Sequence, residues 1–191
     1  MSAADASPRP QPHDSWDVAR LPGWWSSAVG ALAVTGAWAA SLWVATHLHA
    51  DPTLRTTALL VHLAALVLGL GAVLTIDYYG LLWLLGRRSL RQVLDFTSPL
   101  HTPVWAGLAV LTLSGTFLHP DPGAPLTRIK LVLVLLVALN GIQARALHGR
   151  LTALDGRAGP RRLLVRGALS VLVSQLAWWG AMVIGFLNSR R

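Results

Sequence analysis

The stretch "TALLVHLAALVLGLGAVLTIDYYGLLWLL" at residues 57–85 decides the fold class of this chain. It contains no Lys, Arg or Glu, and its most polar side chains are those of His62 and Asp77. A helix of about 20 predominantly apolar residues crosses the roughly 30 Å hydrocarbon core of a bilayer. This stretch is longer than that, so we expect a membrane helix that tilts or protrudes.

The rest of the chain repeats this apolar pattern in further blocks. Apolar residues make up 53% of the 191 residues and charged residues 13%, about half of the charged share in soluble domains. The blocks lie at about 28–48, 102–118, 129–148 and 163–187. Residues 23–191 are therefore predicted to form one all-α integral membrane bundle of five transmembrane helices. Residues 1–22, polar and rich in proline, are predicted to be a disordered cytoplasmic tail.

Basic residues are divided unevenly between the two sides of such a bundle. The side of the N-terminus holds eleven of the sixteen Lys and Arg residues, and the opposite side holds five. Because basic loops stay in the cytoplasm, we expect a cytoplasmic N-terminus. A composition rich in Arg, Ala and Leu indicates a multi-pass protein of a bacterial inner membrane. Its basic loops favour anionic lipids as partners rather than nucleic acid.

Two apolar blocks end in the same pattern, His-x-Asp-Pro, within "HLHADP" at 47–52 and "FLHPDP" at 117–122. In the predicted topology both motifs fall on the external face, and His62 lies about five residues into its span, about 8 Å deep. Imidazole is a common ligand of copper, zinc and haem iron, and carboxylates can complete such a set. The candidate cofactor or metal ligands are His47, His49, His62, His119, Asp51 and Asp121.

A plainer interpretation of these motifs is also open. Asp-Pro is a common way to leave a helix, so each motif is equally compatible with helix punctuation. A histidine inside a membrane span is a functional candidate by default, although it can instead hydrogen-bond a neighbouring helix. At 100° per residue, His62, Gly69, Asp77 and Gly80 share one helix stripe. Glycine in that stripe lets a helix or a flat macrocycle approach closely.

A second polar group is predicted near the cytoplasmic side. Its members are Asp77, His101, Arg145 and His148. An ion pair between Asp77 and Arg145 is one expectation, and a proton relay or an inner cofactor site is another. Nearer mid-membrane, Asn140 and Gln175 are predicted to satisfy each other by an amide–amide hydrogen bond.

Haem ligation by two histidines requires ligands at equal depth on facing helices. The candidate pairs are His62 with His119 or His47 near the outer face, and His101 with His148 near the inner face. The chain has no cysteine, which excludes thiolate and iron–sulfur sites, and only two methionines. Gly-rich phosphate loops and metalloprotease helix motifs are also absent from the sequence.

Residues 57–148 resemble bacterial membrane proteins related to the copper-resistance D family. The resemblance rests on "VHLAALVLGLGAVLTIDYYGLLWLL", "VWAGLAVLTLSGTFL" and "RIKLVLVLLVALNG". It implies a role in copper handling or haem binding, in which His62 inherits a ligand role.

Together these features predict a non-enzymatic or electron-transferring membrane protein that binds haem b or copper near its external face, with a redox or membrane-complex partner. Two alternatives are a structural or accessory subunit without a cofactor, and a small-solute or proton-coupled transporter.

Overall fold

The computed structural model describes residues 23–48, 50–154 and 160–189, and this part of the chain is helical without strands. The helices are α1 (Gly23–His47), α2 (Pro52–Leu84), α3 (Leu90–Thr97), α4 (His101–Thr116), α5 (Pro125–Thr152) and α6 (Arg161–Ser189). A single 3₁₀ turn, Ser98–Leu100, connects α3 to α4. The predicted tail, residues 1–22, lies outside the described residues.

Four helices are long and apolar enough to cross a membrane, namely α1, α2, α5 and α6. This confirms a multi-pass helical membrane bundle. The predicted third span corresponds to α4, which has 16 residues and is therefore only about 24 Å long. It is too short to count as a spanning helix by length and composition alone.

The segment 86–101 joins the predicted spans 57–85 and 102–118 and is expected from the sequence to be a loop, but it contains the short helix α3. Its start is fixed by a capping box: the Ser89 hydroxyl accepts from Gln92 N (3.2 Å), and the Gln92 side chain accepts from Ser89 N (3.1 Å). One face of α3 buries Val93 and Thr97, while Asp95 is exposed. The helix is thus amphipathic, as a helix lying at a membrane surface should be.

The closest helix–helix contact joins α2 to α4 through two glycines. A Cβ on Gly107 would lie 2.7 Å from the Cα of Gly69 and 2.9 Å from the carbonyl oxygen of Ala65. His62, seven residues before Gly69 in α2, contacts Ser114, seven residues after Gly107 in α4. Toward the other end of α2, the Tyr79 ring stacks on Phe96 of α3, with centroids 5.4 Å apart. The two segments therefore run antiparallel in one continuous register.

The core lies where α6 packs against this glycine contact. Ala177 is fully buried, Trp178 is 4% exposed, and the Trp178 ring lies 3.0 Å from the position a Cβ on Gly69 would occupy. Leu70, Leu108 and Val137 from three other helices complete the core. Helix α1 is added from outside: its Trp38 indole N–H donates to the carbonyl of Leu131 in α5 (3.1 Å).

The connections collect at two ends of the bundle. At one end, which we name the proline end, the α1–α2 and α4–α5 connections meet, because Ala50 N donates to Nε2 of His119 (3.2 Å). The two His-x-Asp-Pro motifs therefore lie at the same end of the bundle, and the prediction that this end is the external face stays a prediction. The other end, the arginine end, holds basic residues of the α2–α3 turn and of the facing ends of α5 and α6: Arg87, Arg88, Arg150, Arg161, Arg162 and Arg166.

The glycine contact predicts a position-specific cost of adding one methyl group. Gly107→Ala should destabilise the bundle by about 1–3 kcal/mol, because the new Cβ meets rigid backbone rather than a side chain that can move. Gly71→Ala is the matched control, since nothing lies within 4 Å of a Cβ at that position of α2. Thermal unfolding in detergent measures both, and equal stability of the two variants would contradict the prediction.

Candidate functional site

His62 lies half-buried in the contact between α2 and α4. Its Nδ1 is 2.9 Å from the Ser114 hydroxyl oxygen, and that hydroxyl donates to the carbonyl of Val110 (2.6 Å). Since the hydroxyl proton is used in this way, the oxygen accepts from the imidazole, and Nδ1 carries the proton. The lone pair of Nε2 is then available to a ligand, the arrangement typical of an oriented histidine donor.

The environment of His62 includes a cation that the sequence analysis did not connect to it. Lys130 of α5, the only lysine of the chain, is half-buried and close enough to act electrostatically on the imidazole. The positive charge of Lys130 would repel a metal cation bound to His62. Lys130 lies five residues after Pro125, in the helix that follows the second His-x-Asp-Pro motif. This position in the sequence could have predicted that Lys130 lies near the proline end.

The other described histidines of the predicted outer site, His47 and His119, each have a partner within the protein. The ring of His47 stacks on Trp43 of the preceding turn, with centroids 4.6 Å apart, and its Nδ1 lies 2.8 Å from the Trp43 carbonyl oxygen. His119 has a positive φ of 47° and receives the N–H of Ala50 on Nε2. His49 lies outside the described residues.

The two aspartates of the motifs act as backbone acceptors. Asp51 is the N-cap of α2 and accepts from Leu54 N (2.8 Å). Asp121 accepts from Gly123 N (2.8 Å) in the turn before α5. Both contacts are those expected of helix punctuation.

Among the described residues, no three His, Asp or Glu side chains come together as ligands for one metal ion. Ligation by the predicted outer set therefore stays a prediction.

The inner group is the place where two imidazoles do meet. The rings of His101, at the start of α4, and His148, in α5, are in edge-to-face contact with centroids 5.1 Å apart. Both are half-buried. The cation of Arg145 is close enough to act electrostatically on His101, and the carboxylate of Asp95 in α3 is close enough to act on His148. The predicted proximity of His101, Arg145 and His148 is confirmed, and Asp95 joins them because α3 replaces the predicted loop.

Asp77 has a different partner from the predicted one. Its carboxylate accepts from the side-chain amide of Gln175 in α6, and Gln175 in turn accepts from the indole N–H of Trp179 (2.8 Å). The prediction of an ion pair between Asp77 and Arg145 is wrong, because Asp77 lies on the face of α2 that meets α6, whereas Arg145 is carried by α5.

Asn140 is likewise paired differently. Its amide donates to the carbonyl of Ser170 (2.9 Å), and the Ser170 hydroxyl donates back to the Asn140 side-chain oxygen (2.9 Å). The predicted bond between Asn140 and Gln175 is wrong for a geometric reason. Ser170 and Gln175 are five residues apart, so they point roughly 140° apart around α6. One therefore faces α5 and the other faces α2.

No protein-family model, curated protein or solved structure matches this chain.

The pairing of Asn140 with Ser170 predicts a measurable coupling energy. In a double-mutant cycle, Asn140→Ala and Ser170→Ala should be coupled by about 0.6 kcal/mol, and by no more than about 1.7, as for other hydrogen bonds between membrane helices. Asn140→Ala and Gln175→Ala should be additive. Unfolding in mixed micelles measures both cycles, and stronger coupling of Asn140 to Gln175 would contradict the pairing.

Proposed function

We propose that α4 is a fifth membrane crossing and that the arginine end faces the cytoplasm. Two observations support this. Helix α4 runs antiparallel beside α2, from the Gly69 contact to the Ser114 contact, and it leads to His119, which contacts the α1–α2 connection. A segment packed against a membrane helix lies at the same depth in the bilayer as the part of the helix that it contacts. Five crossings with basic residues inside then give a cytoplasmic N-terminus in a bacterial inner membrane.

We propose further that the protein binds a copper ion through His101 and His148, in a copper-handling or electron-transfer role. The observation that carries this proposal is the contact of the two rings, with centroids 5.1 Å apart. Imidazole nitrogen suits copper, and the two half-buried rings, carried by different helices, lie close enough to supply one nitrogen each to one ion. A bound copper ion would supply one-electron chemistry, while the chain supplies the two nitrogens and the nearby carboxylate of Asp95.

The same geometry favours copper over haem b at this position. Haem held by two histidines places a flat macrocycle between the imidazoles. Rings in edge-to-face contact leave no space for such a plate. This choice moves the proposed site from His62, His47 and His119 at the proline end to the inner pair of histidines.

A subunit without a cofactor is the second candidate function, and one observation favours it. Among the described residues, no buried side-chain nitrogen or oxygen lacks a hydrogen-bond partner. Pairs such as Asn140–Ser170 and Asp77–Gln175 therefore suffice to lock helices together. In a subunit of this kind, the ring contact between His101 and His148 would serve only to hold α4 against α5.

The topology predicts which positions can be labelled from the same side. The chain has no cysteine, so single cysteines report without background. Ala50→Cys and Pro122→Cys should react with an impermeant maleimide added outside intact cells. Arg88→Cys and Gly149→Cys should react only after the membrane is opened. Labelling of positions 50 and 122 from opposite sides would contradict five crossings.

The copper site predicts a loss of binding that is specific to two of the seven histidines. His101→Ala/His148→Ala should weaken copper binding roughly tenfold or more, since even the loss of an outer-shell partner costs 10–100-fold. Binding should also fall on acidification, because protons compete for the nitrogens. Equilibrium dialysis with elemental analysis measures the affinity, and electron paramagnetic resonance detects nitrogen coordination.

Two control variants separate the candidate functions. His47→Ala removes an exposed histidine and should leave copper binding unchanged, and His62→Ala tests the outer donor separately. If the wild-type protein binds no copper, the copper function is excluded and the functions without a metal remain. If the double variant binds copper as tightly as the wild type, the site at His101 and His148 is excluded, and the His62→Ala result decides whether the outer donor holds the ion.

A further inference from the structure

At the arginine end, a furrow opens between α1 and α6, with α5 as its floor. It has a volume of about 330 Å³ and is lined by residues of all three helices. A second cavity of about 240 Å³ continues it along α5 and α6, since both are lined by Leu139 and Gln143. The two cavities together extend from Arg150 to Leu136, about 21 Å along the axis of α5.

The chemistry of the furrow changes along its length. Its mouth carries Arg150 of α5 and Arg166 of α6, both exposed, and Trp24 of α1. Among the described residues, neither guanidinium has a hydrogen-bond or ion-pair partner. Deeper in, the walls are mainly apolar, with Ala31 and Ile142 among the lining residues, and the side chains of Gln143 and Asn140 interrupt them. An aromatic ring beside two cations marks the level of the lipid headgroups.

We propose that this furrow is a binding site for one anionic glycerophospholipid of the leaflet at the arginine end. The headgroup phosphate would lie between Arg150 and Arg166, and an acyl chain would follow α5 toward Leu136. Three features carry the assignment: two cations at the mouth that have no partner among the described residues, mainly apolar walls behind them, and a length that exceeds the roughly 15 Å depth of one leaflet. The site goes beyond the proposed copper site and does not depend on it.

The lipid also explains how α1 is retained. Helix α1 packs on α5 at two places. A Cβ added to Gly30 would lie 3.6 Å from the side chain of Ile142, and the indole of Trp38 bonds to the carbonyl of Leu131. Near the arginine end the furrow separates α1 from α6. An acyl chain filling that space would give α1 a surface to contact between Trp24 and Ala31.

The test uses the full-length protein in nanodiscs that contain equal amounts of phosphatidylglycerol and phosphatidylcholine. After extraction into mild detergent, native mass spectrometry counts the lipid that stays bound. The wild-type protein should retain phosphatidylglycerol in preference to phosphatidylcholine. Arg150→Gln/Arg166→Gln should lower that retention roughly tenfold or more. The matched control Arg87→Gln/Arg88→Gln removes two exposed arginines from the same end and should retain the lipid as the wild type does.

A second variant probes the acyl chain separately from the headgroup. Ala31→Phe fills the furrow without changing its charge and should reduce retention of phosphatidylglycerol, with thermal unfolding used to verify that the variant is folded. Equal retention of the two lipids, or equal loss in both arginine pairs, would overturn the proposal, because only general surface attraction would remain. Displacement of the lipid by millimolar inorganic phosphate would show a free-anion site instead, and a dimer that persists without lipid would show that a second copy covers the furrow.

Discussion

The backbone contact between Gly69 and Gly107 sets the positions of most other groups in this bundle. Lipid offers helices no hydrophobic drive to associate, so close packing has to supply the attraction. Two glycines let α2 and α4 approach to a distance at which a single Cβ would overlap backbone atoms. The register fixed there places His62 beside Ser114 and leaves a position that the ring of Trp178 fills. The histidine site and the core thus depend on the absence of two side chains.

Polar residues act as connectors on the other helices. Two amides of the bundle are each matched with a group on a neighbouring helix: Asn140 with Ser170, and Gln175 with Asp77. Since an unsatisfied polar group in hydrocarbon costs several kcal/mol, these matches specify which face of α6 meets α5 and which meets α2. The furrow at the arginine end is the exception, because there two cations face an open space. That contrast is why we assign the open space to a lipid and the interior amides to architecture.

Much of the architecture could be predicted from the sequence, and the particular partners could not. Long apolar blocks define membrane helices, and basic residues gather at one end of the bundle, as their loop positions predicted. The meeting of the two His-x-Asp-Pro motifs and the proximity of His101 to His148 also followed from topology alone. Partner choice depends on the rotation of each helix about its axis, which one sequence does not reveal when apolar residues cover every face. Helix α3 was missed although "SLRQ" carries its capping box.

The way α1 is attached has a consequence for biogenesis. Helices α2 and α4 are neighbours along the chain, as are α5 and α6, so each of these pairs can close as soon as its second member enters the bilayer. Helix α1 precedes the other described helices along the chain, yet its Trp38 bonds to a carbonyl 93 residues later, in α5. This bond forms only once α5 has been delivered to the bilayer. Of the described helices, the first to be made is therefore among the last to complete its contacts.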